Sequence, residues 1–375
     1  MSDPASHQRD PFVDFVRAFA LVVVVVWHWT FTILHVGVDD DQIHTSSVLE
    51  FNYDLWPLTW VFQVMPLFFF VGGYAHLRTW ESHRRKGGGY GSFVWARVVR
   101  LAVPSLALIA GWTVLGILAI AWTDQRELIL SAVIIILSPL WFIAVYLVLV
   151  VIAPPMIWLE QRFAPLPLVV LIGLGFVDDV LRFSNGAEWA ALTNLVVVWA
   201  ACHQLGFSYG SLVRAPRSWA WSFVVGGLLA LYGLISTGLY PASMVGVVGD
   251  EISNMSPPTM AIIAVCALQV GIALLIRPWL LVRLERPGRW SRFNALVNRF
   301  SMPLFLFHST GMALALVLLD GLFDWTPPEL TDAEWWLSRP VVVGLAFAIT
   351  LPIILVFGKR WSGGPSSPSP TATPA

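Results

Sequence analysis

The chain has 375 residues, of which 57% are hydrophobic and only 12% charged, with a formal net charge of −1. Soluble domains carry about 25% charged residues, so composition excludes a soluble globular enzyme, and the neutral balance gives no sign of a nucleic-acid partner. The remaining class is an all-α polytopic membrane protein.

The first apolar stretch, 13–36, would span ~36 Å as a helix against ~30 Å of hydrocarbon. It carries Asp14 and Arg17 near its start and His28 past its middle. Ionisable groups at that depth are costly, face protein or a wet cavity, and point to function. At ~100° per residue the eleven steps from Arg17 to His28 return within ~20° of one face, and Asp14 falls within ~40° of it. Asp14 and Arg17 read either as an interfacial pair that fixes helix depth or as part of a site. His28 reads either as an interhelical hydrogen bonder or as a general base or proton shuttle. His35 would continue the same face two turns outward.

Windows of apolar residues predict ten spans: 13–36, 55–77, 101–122, 139–159, 164–180, 189–212, 218–240, 258–276, 302–320 and 340–358. The second contains Pro66 in its middle and Gly72-Gly73 near its inner end, which predicts a bent helix closely approached by another backbone. Residues 128–137 are too short to cross and read as a re-entrant or interfacial piece, or as half of a helix broken at Pro139. With the N-terminus inside, nineteen of the 22 Lys and Arg lie in cytoplasmic segments. The positive-inside rule therefore selects ten spans with both termini cytoplasmic. Residues 1–361 form the predicted membrane domain, and the Pro/Ser-rich tail 362–375 reads as disordered. Cys202 and Cys266 lie inside apolar segments without metal-ligand spacing, so neither a disulfide nor a metal is expected.

Arg97 and Arg100, in RVVR at the inner mouth of the third span, share a helix face at i and i+3. They suit bidentate capture of phosphate oxygens, but taken alone basic residues at an inner boundary are more often topology anchors or lipid headgroup contacts. His308, followed by Ser309 and Thr310, belongs either to a packed polar cluster or to a second proton carrier. Asp178, Asp179 and Glu188, at an outer boundary, read either as a solvated loop or as an acceptor site.

These residues carry a resemblance. VDFVRAFALVVVVVWH resembles the opening signature of the acyltransferase 3 family of integral membrane O-acyltransferases, an Asp-x-x-Arg followed by His eleven residues after the Arg, met by Asp14, Arg17 and His28. MPLFFFVGGY resembles the family's FFxxSG element, RVVRLAVP its RxxR before a proline, PLWFIAVYL its LWF segment, and MPLFLFH a late element ending in His308. The chain departs from the pattern at Gly72, where Ser is expected, and at Pro139, where His often precedes LeuTrpPhe. The resemblance implies acyl transfer, commonly of acetyl, from cytoplasmic acyl-CoA to a sugar or lipid-linked hydroxyl at the outer face. It implies His28 as catalytic base, Arg17, Arg97 and Arg100 as holders of the CoA phosphates, and Asp14 and His308 as supporting residues. The rival from composition alone is a secondary transporter, favoured by the buried ionisable groups and the broken second helix, although the two halves show no pseudo-symmetry.

Overall fold

The computed structural model describes residues 10–36, 43–246, 252–323, 325 and 332–361. In chain order these form helix α1 (Pro11–Phe31), strands β1 (Thr32–Val36) and β2 (Ile43–Ser47), and helices α2 (Val48–Phe51), α3 (Trp56–Phe62), α4 (Met65–Arg85) and α5 (Tyr90–Trp122). There follow α6 (Arg126–Leu137), α7 (Leu140–Phe163), α8 (Leu166–Asn185), α9 (Glu188–Phe207), α10 (Tyr209–Arg214) and α11 (Arg217–Ser236). The chain ends with α12 (Met260–Leu284), α13 (Arg289–Arg299), α14 (Ser301–Phe323) and α15 (Ala333–Trp361). Among the described residues, nine segments are long and apolar enough to cross a bilayer: α1, the α3–α4 pair, α5, α7, α9, α11, α12, α14 and α15. The expected span 164–180 is also a helix, α8, but Asp178, Asp179 and Arg182 in its last turns give it three charged residues, more than the apolar stretch of any of the nine carries.

Three expectations need correction. The first span was expected to remain helical to residue 36, yet α1 stops at Phe31 and TILHV pairs antiparallel with β2, setting His35 opposite His44. The β-branched residues of this stretch favour a strand as much as they favour lipid, and His35 therefore does not continue the His28 helix face. The second span breaks at Gln63 and Val64 rather than at Pro66 itself. Pro66 has no N–H to give the Phe62 carbonyl, so one helix ends there and the next begins with Pro in its first turn. The Gln269 side-chain amide covers the freed backbone by donating to the Trp60 and Gln63 carbonyls, each at 2.9 Å. Third, Asp178 and Asp179 are buried, not solvated. Asp179 accepts from Asn194 Nδ2 at 2.8 Å, Tyr240 Oη at 3.0 Å and the Met260 backbone N–H at 2.8 Å. It thus fastens α8 to α9 and to the start of α12.

Segment 128–137 lies in α6, a separate twelve-residue helix followed by a break at Ser138 and Pro139. At ~1.5 Å per residue it covers only ~18 Å, too little to cross. The tail 362–375 lies outside the described residues.

Packing follows membrane logic. Apolar side chains such as Leu106, Val114 and Ile117 of α5 point outward, where lipid leaves them nothing to lose. Polar groups turn inward instead: Gln63, His76, Asn194, His203, Gln269 and His308 are all buried. Helices α4 and α9 come close enough that a Cβ added at Gly73 would fall on the His203 carbonyl, and one at Gly206 on the Phe70 carbonyl.

Candidate active site

Helix α1 begins with Asp10 as N-cap, its carboxylate accepting from the Phe12 N–H at 2.9 Å. Two turns in, Arg17 Nη2 meets Asp14 Oδ1 at 3.1 Å. The same guanidinium leans on α13, with Nε and Nη2 donating to Asn298 Oδ1 at 2.9 and 2.6 Å. Its Nη1 has no partner among the described residues. Arg17 is therefore gripped along one edge, and the edge that carries Nη1 is not engaged by any described residue.

Three turns further, His28 reaches α14. Its Nδ1 lies 3.0 Å from His308 Nε2, with the rings stacked at 5.1 Å between centroids. His308 Nδ1 lies 2.6 Å from the Phe305 carbonyl oxygen. A carbonyl can only accept, so His308 carries its proton on Nδ1, and its neutral Nε2 must accept. His28 Nδ1 is then the donor of the pair, and His28 Nε2 is left without a proton. With both rings neutral, this sequence of bonds assigns both tautomers. His308 is fully buried, and its helix is held by Trp29 Nε1 donating to the His308 carbonyl at 2.9 Å and Trp112 Nε1 donating to Thr310 Oγ1 at 3.1 Å. His28 itself is only half-buried.

Arg97 and Arg100 lie on the first turns of α5, since the helix starts at Tyr90 and not at 101. The Arg97 guanidinium carbon lies 3.5 Å from the centroid of the Phe93 ring, and its Nη1 donates to the Phe93 carbonyl at 3.0 Å. Arg100 is exposed and has no hydrogen-bond partner among the described residues. The charges of Arg17, Arg97 and Arg100 all act on the hydroxyl of Tyr146 of α7.

A continuous run of rings joins this cationic cluster to the histidine pair. Tyr146 lies 5.6 Å from Phe142, Phe142 lies 5.3 Å from Phe305, and Phe305 lies 5.9 Å from His308, all between centroids. The LeuTrpPhe segment of α7 thus stands between the two ends of the site. Gly72, where Ser was expected, is filled from across the interface, because a Cβ there would sit 3.1 Å from the Tyr146 ring.

Sequence reading missed four participants. Tyr146 lies in the PLWFIAVYL segment but was given no role there, and Asn298 carries no motif. His76 and His203 form a second buried pair, Nδ1 to Nε2 at 2.9 Å, with the His76 ring 5.1 Å from Tyr146. Both are ionisable residues within apolar spans, so the criterion that singled out His28 applied equally to them.

A family model described as an acyltransferase domain matches residues 10–359. No curated protein and no solved structure matches the chain.

Proposed function

The chain belongs to the acyltransferase 3 family, and from that premise we propose that this membrane enzyme moves an acyl group, acetyl first among them, from cytoplasmic acyl-CoA to a hydroxyl of a glycoconjugate, lipid-linked sugar or small molecule at the outer side. Membership makes it an acyltransferase of groups other than aminoacyl groups, which removes the transporter reading.

The observation that carries the proposal is the bare Nε2 of His28. His28 takes the proton of the acceptor hydroxyl as that oxygen attacks the thioester carbonyl. The new C–O ester bond forms, the C–S bond breaks, and Nε2 returns the proton to the departing thiolate. His308 holds the ring by accepting its Nδ1–H, so the imidazolium formed in transit is stabilised through the same hydrogen bond.

Donor binding belongs to the inner end. The open Nη1 of Arg17 and the free guanidinium of Arg100 meet the phosphates of CoA, with Arg97 stacked on Phe93 beside them and the Tyr146 hydroxyl among all three. From Arg17 to His28 the helix rises ~16 Å, a span suited to the long pantetheine arm lying along Phe142 and Tyr146. Asp14 orients Arg17 and stays away from the reacting atoms.

This chemistry asks for an inner donor and an outer acceptor. Ten crossings with both termini cytoplasmic, α8 included, agree with nineteen of the 22 Lys and Arg falling in inner segments and fit a plasma-membrane enzyme. The test is mass spectrometry of surface glycans and lipids from cells with and without the protein. An acetyl mass present only with the protein supports the proposal, and identical spectra overturn it.

A further inference from the structure

Helix α13 lies in a basic inner segment that hydropathy reads as a loop, yet it forms a direct brace under α1. Gly288 and Ser291 start it, with the Gly288 N–H donating to Ser291 Oγ at 3.0 Å. Two asparagines one turn apart face α1. Asn294 Nδ2 donates to the Pro11 carbonyl at 3.1 Å, and Asn298 Nδ2 donates to the Asp14 carbonyl at 2.8 Å. Asn298 Nδ2 also lies 2.8 Å from the Asn294 carbonyl and 2.7 Å from Asn294 Oδ1.

Those donor bonds fix which way the Asn298 amide points. Its nitrogen faces three acceptors, so its oxygen faces Arg17 and accepts from both Nε and Nη2. A neutral oxygen is suited to this. It orients the guanidinium without cancelling its charge, whereas a carboxylate would add a second counterion beside Asp14. The edge that carries Nη1 is left open.

We propose that Asn298 is a positioning residue for the donor-binding cation Arg17: α13 holds the guanidinium so that its free edge meets an anionic group of the donor. The inference rests on the donor site proposed above. It assigns a part to a residue from a segment far from α1 in sequence, and the asparagine touches no reacting atom.

The test is a double-mutant cycle read as the Kd for coenzyme A, by calorimetry on the full chain in detergent. Arg17→Ala and Asn298→Ala are each expected to weaken binding, Arg17→Ala by roughly tenfold, the scale of one charge-assisted contact, and Asn298→Ala by somewhat less. The double variant is expected to bind as Arg17→Ala alone does, because an asparagine that acts through Arg17 has nothing left to position. Losses that multiply overturn the inference and make Asn298 a packing residue only. Should Asn298→Ala not fold, Asn298→Asp replaces it: an acceptor oxygen is kept, the carboxylate becomes a second counterion to Arg17, and the loss of CoA binding is expected to be larger with Arg17 present than in the Arg17→Ala background. Arg97→Ala and Arg100→Ala separate the two ideas. If they leave the Kd unchanged, the donor site itself is misassigned; if they raise it while the cycle is additive, only the part given to Asn298 fails.

Discussion

His28 Nδ1 and His308 Nε2 lie 3.0 Å apart across α1 and α14, and the second ring is committed on its far side to the Phe305 carbonyl at 2.6 Å. The pair therefore behaves as one unit with a single open nitrogen. Removing His308 should lower kcat without moving the Km for acetyl-CoA, because the base loses its tautomer and orientation but the donor site is untouched. We expect a loss of about 10²-fold for His308→Ala, within the range of general-base contributions. Since the two rings act together, His28→Ala and the double variant should have equal residual rates. Initial rates of CoA release for the three variants check this.

Arg97 and Arg100 are expected to act on binding. Each Ala substitution should raise the Km for acetyl-CoA about tenfold and leave kcat within about twofold, as loss of ground-state phosphate contacts does. Steady-state kinetics across a donor series measures it; an unchanged Km for both would assign RVVR to topology or lipid contact.

The buried Asp179 contact is structural. Asp179→Ala leaves the Asn194 and Tyr240 donors and the first backbone N–H of α12 without their acceptor. A charged acceptor of three bonds is worth about 3 kcal/mol or more, so the melting temperature in detergent should fall by several degrees. Donor affinity should stay the same, since none of the three partners belongs to the cationic cluster.

Two glycines should separate close packing from lipid exposure. Gly206→Val drives a side chain into the Phe70 backbone and is expected to prevent folding, while Gly111, with nothing within 4 Å of an added Cβ, faces open space. Gly111→Ala should be neutral or stabilising by up to about 1 kcal/mol, the helix-propensity difference. Size-exclusion profiles and thermal melts of the two variants distinguish them.

Much of this molecule is readable before folding, for identifiable reasons. Lipid demands long apolar helices, so the spans stand out by hydropathy, and an imidazole among valines stands out by cost. The His28 partner could not be read the same way, because residues 28 and 308 meet only once α1 packs on α14. The strand at Thr32–Val36 was hidden because β-branched apolar residues satisfy both a strand and a membrane helix. Helix α13 was hidden for the opposite reason. Its arginines remove it from any hydropathy window, and the two asparagines that grip α1 are ordinary polar residues until their carbonyl partners are known.

The most direct single measurement is the rate of acetyl transfer by purified His28→Ala, scored beside a wild-type sample with the same elution profile and melting curve. A base at His28 requires transfer to fall to the background of the uncatalysed reaction while CoA still binds. Full transfer by the folded variant would contradict it and remove His28 from the chemistry.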